Sequence, residues 1–120
     1  MKTTKKTTKK RSKYNNKKTV VDGITFDSAK EAERYSELKV LEKAGVITEL
    51  RLQVPYELRP AFRNRDGKYR RAKRYIADFV YERDGEEVIE DVKSPITRKN
   101  PVYRDKKLEM EYKGLYITEV

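Results

Sequence analysis

The sequence contains no cysteine and no histidine. The first absence excludes disulfides and cysteine-ligated zinc. The second removes the commonest general base and the commonest ligand for transition metals. A metal held by this chain must therefore be bound through oxygen, which points to Mg2+, Mn2+ or Ca2+. Long apolar runs are missing too: none approaches the ~20 residues of a membrane helix, and no signal-peptide pattern opens the chain. The expectation is a soluble protein of the cytoplasm with no membrane partner. Hydrophobic residues make up 36% of the 120 positions against 42% charged, so one domain with a modest core drawn from a few apolar stripes is expected.

What is abundant is charge, unevenly spread. Residues 1–18, MKTTKKTTKKRSKYNNKK, hold eight Lys and one Arg with no acid. The net charge is +10, and removing those nine cations leaves residues 19–120 at +1. This divides the chain into a basic, disordered tail over 1–18 and a nearly neutral folded domain over 19–120. Such a tail either holds a polyanion loosely or merely solubilises. Within the domain, Arg59 to Arg74 carry eight bases and one acid, Asp78 to Asp91 seven acids and one base, and Lys93 to Lys107 six bases and one acid. An acidic island between basic flanks suggests a cation site beside phosphate-binding surface, although solvated charge runs look similar.

Local signals give the element order. VVDGITFDS reads as a short hairpin or turn leading to Ser28 as N-cap of a helix that runs to about Ala44, with Ala32, Tyr35, Leu38 and Leu41 at helical spacing. VITELRLQVPYEL alternates like a strand, with Pro55 marking an edge, a bend or a break. Asp66-Gly67 signals a hairpin turn, RRAKRYIADFVYE is β-prone, and Asp84-Gly85 turns the chain into the returning strand EVIEDVK. Residues 102–113 form a second helix with Val102, Leu108 and Tyr112 as inner positions, and LYITEV ends as a strand. The order helix, three hairpin strands, helix, strand predicts an α/β domain with a mixed sheet.

One constellation within this frame can carry chemistry. Asp78 interrupts an apolar row, with Ile76 and Val80 on its own face by strand alternation. Burying a carboxylate costs several kcal/mol, to order of magnitude, unless something pairs with it. A turn at residues 84 and 85 gives a pairing sum of about 169, so Asp78 faces Asp91. Two facing carboxylates repel, and a divalent cation between them turns repulsion into binding. Lys93 follows Asp91 on the same face, where an ammonium can orient water or steady developing charge. The bland alternative is an exposed i,i+2 ion pair worth ~0–1 kcal/mol. Ser28-x-x-Glu31 is a capping box, so Glu31 satisfies a backbone amide or reaches over the sheet as a further acid, and both duties can coexist.

FDSAKEAERYSELKVLEKAG, then Asp78 in YIADF and EDVK ending at Lys93, resembles the PD-(D/E)xK nuclease superfamily, and in particular a group of small phage-encoded, junction-resolvase-like nucleases. The likeness spans roughly residues 14–120. It implies a restriction-endonuclease-like core and Mg2+-dependent phosphodiester hydrolysis in DNA, with Mn2+ as a substitute. It maps Asp78, Asp91 and Glu31 to metal ligands, Lys93 to the catalytic lysine and Gln53 to an additional site position. Ala77 stands where the superfamily's name has proline. A phage-encoded member would act in the cytoplasm of a bacterial host.

Phosphate contacts are expected from Arg70, Arg71, Lys73 and Arg74 on the strand and from Lys106 and Lys107 on the second helix, unless these are a solvated face. Tyr69, Tyr75, Tyr103 and Tyr112 are either base-stacking or packing residues. The resulting expectation is a Mg2+-dependent endodeoxyribonuclease selective for branched or junction DNA; symmetric cutting of two strands would require a homodimer. Two rivals stand beside it. One is a non-catalytic nucleic-acid-binding protein gripping through its tail, the other an interaction module that keeps the fold without the reaction.

Overall fold

Three Asp-Gly dipeptides, at 22–23, 66–67 and 84–85, lie in the turns of the chain's tight hairpins. The computed structural model describes residues 17–120, so the basic tail expected over 1–18 lies, but for Lys17 and Lys18, outside the described residues. The chain divides into two compact units, Met1–Val40 and Leu41–Val120.

In the first unit, β1 (Thr19–Val21) and β2 (Ile24–Phe26) pair antiparallel around Asp22-Gly23, whose φ angles of 53° and 76° are those of a two-residue hairpin loop. The helix α1 (Ala29–Lys43) follows, running on past the unit boundary. Ser28 Oγ accepts from the Glu31 amide at 3.1 Å, as an N-cap should. Ala32, Tyr35 and Leu38 are buried, matching the expected stripe, and the Tyr35 ring meets Phe26 at 5.0 Å while its hydroxyl donates to Asp22.

The second unit is a mixed α/β layer. Its four-stranded sheet has the order β3 (Thr48–Arg59), β6 (Lys73–Arg83), β7 (Glu86–Asp91), β8 (Ile117–Glu119). The pairs β3–β6 and β6–β7 are antiparallel and β7–β8 is parallel. Pro55 lies within β3, an edge strand, which is where a residue without an N–H does least damage. Between β3 and β6 the chain makes a small ribbon of β4 (Phe62–Arg63) and β5 (Tyr69–Arg70). After β7 come a helical turn α2 (Pro95–Arg98), absent from the sequence expectation, and the helix α3 (Pro101–Tyr112). Ser94 and Thr97 form a reciprocal capping box for α2, and Asn100 caps α3 by accepting from the Val102 and Tyr103 amides. Among the described residues no helix is long and apolar enough to cross a membrane.

The core of this unit joins Leu58, Tyr75, Ala77, Val80, Ile89 and Ile117 from the sheet to Tyr103 and Met110 from α3. Here the expected helix phase is corrected. Val102, Leu108 and Tyr112 are exposed, and Tyr103, Lys107 and Met110 form the inward side instead. Two polar residues are drawn in by a partner, since Tyr103 and Lys107 both donate to Glu119. Complete burial of Met110 is worth ~1.5–3 kcal/mol, more than any exposed aliphatic on the outer side contributes.

The alternation of β6 is also corrected. Ile76 is exposed, whereas Ala77 and Val80, three apart, both belong to the core. The buried row runs through Tyr75, Ala77, Phe79 and Tyr81, the face opposite to the expected one, with Val80 buried in addition. Leu52 pairs with Phe79 and Val54 with Ala77, and between those pairs Gln53 takes φ 53°, a left-handed conformation that a side chain rarely adopts in a strand.

Candidate functional site

A two-residue loop over Asp84-Gly85 fixes the register of the β6–β7 hairpin, with Arg83 opposite Glu86 and Phe79 opposite Glu90. Each pair sums to 169, as expected, and continuing the count one step sets Asp78 against Asp91. The ladder does not continue as a plain strand there. The Asp78 carboxylate takes over from the backbone, and its Oδ2 accepts from the Val92 amide at 2.9 Å. From the other side the parallel strand β8 holds the same segment: the Val120 amide donates to the Asp91 carbonyl, and the Lys93 amide to the Val120 carbonyl, each at 3.0 Å. Asp91-Val92-Lys93 is thus clamped along its backbone from both sides, which orients its two functional side chains.

Asp91 is 4% exposed. Its Oδ2 accepts from the Tyr75 hydroxyl at 2.8 Å and lies 3.5 Å from Lys93 Nζ. Burial, and then the facing Asp78 carboxylate, push the Asp91 carboxyl up from the ordinary 3.8 to about 8, against the opposing pull of Lys93 and Tyr75. Tyr75 itself is shifted far upward, by burial first and the charge of Asp91 second, so it stays a hydrogen-bond donor throughout. Gln53 Nε2 reaches Asp78 Oδ1 at 3.5 Å, so the residue with the left-handed backbone is also the one that touches the half-buried acid.

Lys93 Nζ sits 4.1 Å from the centre of the Tyr103 ring, a cation–π contact that holds the ammonium beside Asp91. The Tyr103 hydroxyl donates to Glu119 at 2.6 Å, and Glu119 also takes Lys107 at 3.1 Å and Arg98 at 3.6 Å. Although burial opposes it, these donors hold the Glu119 carboxyl below its ordinary value. The chain of contacts Gln53, Asp78, Asp91, Lys93, Tyr103, Glu119 lies wholly within the second unit.

The sequence-predicted residues Asp78, Asp91, Lys93 and Gln53 are therefore brought together. Glu31 belongs to the first unit, where its amide is capped by Ser28. Among the described residues no group of three or more acidic side chains gathers as a metal cage, so the centre of the second unit is a pair of carboxylates. Sequence reasoning missed the supporting roles of Tyr75, Tyr103 and Glu119. Tyr75 and Tyr103 prove to be buried, hydrogen-bonded residues, while Tyr69 and Tyr112 are exposed. Glu119 reaches the site through the parallel pairing of Asp91 with Glu119, which leaves no local trace in the sequence.

Of the expected phosphate contacts, Lys73 bonds Asp105 at 2.5 Å and Glu109 at 2.8 Å, and Lys107 bonds Glu119. Their charge is largely answered within the fold. Arg70, Arg71, Arg74 and Lys106 have no ion pair among the described residues, and with Arg59 they line an open cavity of about 660 Å³.

No curated protein and no solved structure matches the chain. Residues 11–120 match the model of a family described as protein of unknown function (DUF1064). The chain belongs to that family.

Proposed function

We propose that this protein is a metal-dependent DNA endonuclease of the PD-(D/E)xK type, built on a restriction-endonuclease-like core and selective for branched or junction DNA. The observation that carries the reading is the facing of two carboxylates at the end of the β6–β7 hairpin, with Lys93 Nζ 3.5 Å from Asp91. The donor set suits a hard dication, because both groups are carboxylates and the chain has no histidine or cysteine to favour a softer metal. The upward shift of Asp91 marks a buried carboxyl short of positive charge, a shortage that a proton or a dication can relieve.

Asp78 and Asp91 would hold Mg2+ or Mn2+ within the second unit. When bound, the ion would polarise the scissile phosphate and lower the pKa of the attacking water. Lys93 orients that water and steadies charge developing on phosphate oxygen. Tyr75 keeps Asp91 in one rotamer, and the Tyr103 ring keeps Lys93 from swinging out. Arg70, Arg71, Arg74 and Lys106 neutralise phosphates flanking the cut.

The test uses the full chain with linear duplex, single-stranded and four-way-junction DNA in Mg2+ or Mn2+. Asp78→Ala is expected to lose cleavage by at least about 100-fold while retaining DNA binding. Undiminished metal-dependent cleavage in that variant would remove the site. Absence of cleavage by the native chain on all three substrates would favour an interaction module that keeps the fold without the reaction.

A further inference from the structure

The ribbon β4–β5 has no structural reason to exist as it is. Two residues per strand pair, Phe62 with Arg70 and Arg63 with Tyr69, and the ribbon joins neither of the other sheets. Every residue from Pro60 to Arg71 is exposed except Asn64, which is half-buried. An isolated two-stranded hairpin is marginal in water, yet this one is fastened at each level. At its tip Asn64 Oδ1 accepts from the Asp66 and Lys68 amides at 3.0 and 2.9 Å. The Gly67 amide donates to the Asn64 carbonyl at 2.8 Å, with Gly67 at φ 81°, and Arg63 Nη1 donates to the Gly67 carbonyl at 3.0 Å. At its root the Arg59 guanidinium lies 5.2 Å from the centre of the Phe62 ring. These bonds stiffen a projection that buries almost nothing.

The chemistry it projects is cationic and aromatic. Arg65 and Lys68 flank the tip, Tyr69 is 62% exposed, and the cavity lined by Arg59, Arg70, Arg71, Arg74 and Lys106 opens at the root. A stiff ribbon with a basic tip suits a polyanion with a groove, because ordering costs are already met before binding. A two-stranded ribbon with side chains fits the ~12 Å major groove of B-DNA and is too wide for the ~6 Å minor groove.

We infer that β4–β5 is a recognition ribbon that enters the major groove of duplex DNA, with Arg65, Lys68 and Tyr69 at base edges and phosphates and the root cations on the flanking backbone. The inference deepens the DNA-directed reading above and rests on it for the partner. It gives a task to a tip that the hydrolytic site does not use.

The test measures binding of the full chain to a duplex oligonucleotide in EDTA, so that cleavage plays no part. In a salt titration Arg65→Gln/Lys68→Gln is expected to lower the slope of log K against log salt by about 2, at ~0.9 per cation, and to weaken binding about tenfold. Dimethyl sulfate protection of guanine N7, which lies in the major groove, is expected with the native chain and lost in the double variant and in Tyr69→Ala. Asp78→Asn is expected to keep both signals, so failure of hydrolysis and failure of the ribbon are read separately. An unchanged slope, absent N7 protection, or equal competition by single-stranded DNA would each overturn the inference.

Discussion

Asp91 answers opposing demands. Burial and the neighbouring Asp78 favour a proton on it, while Tyr75 and Lys93 favour the anion, and the balance lies toward the proton at neutral pH. The folded chain keeps that proton up to about pH 8, whereas an unfolded Asp releases it near 3.8. Between those values the native state binds more protons than the unfolded state, so stability falls as pH rises through the window. Without metal, the melting temperature is expected to drop between pH 5 and pH 8.5. Each ~1 kcal/mol lost moves it by about 4 °C. Asp91→Asn is expected to flatten the profile, and a native profile as flat as the variant's would contradict the assignment. Gln53 offers a second residue-scale expectation. Glycine has no penalty at positive φ, so Gln53→Gly should leave stability within ~1 kcal/mol of native in urea unfolding, yet cut cleavage because Asp78 loses its amide neighbour. Marked destabilisation would show that the left-handed turn is held for packing instead.

At the scale of elements, what was legible in the sequence was what short-range chemistry decides. Asp-Gly at 22–23 and 84–85 and the Ser28 cap gave the hairpins and the start of α1, and the turn position alone put Asp78 opposite Asp91. What was not legible depends on partners far along the chain. The left-handed backbone of Gln53, between the pairs Leu52–Phe79 and Val54–Ala77, is one such feature. The phase of α3 comes from Glu119, which draws in Tyr103 and Lys107 and leaves Leu108 outside. Aliphatic spacing within α3 carries no sign of that acid. The corrected phase is testable by unfolding in denaturant: Met110→Ala is expected to cost ~2–5 kcal/mol and Leu108→Ala no more than ~0.5 kcal/mol. The reverse order would restore the phase read from the sequence.

For the whole molecule, charge is partitioned by task. The cations of residues 1–18 stand apart in sequence from a domain near neutrality. In that domain buried Asp91 and half-buried Asp78 meet beside Lys93, and Arg59, Arg70, Arg71, Arg74 and Lys106 line a separate cavity. The account depends on the acidic pair taking a dication in place of its proton. Calorimetric titration of Mg2+ or Mn2+ into the full chain at pH 7, repeated in buffers of different ionisation enthalpy, measures both the binding and the proton it displaces. Saturable binding with release of close to one proton, abolished in Asp78→Asn and in Asp91→Asn, is the predicted result. No saturable binding, or binding that survives both substitutions with no proton released, would contradict it.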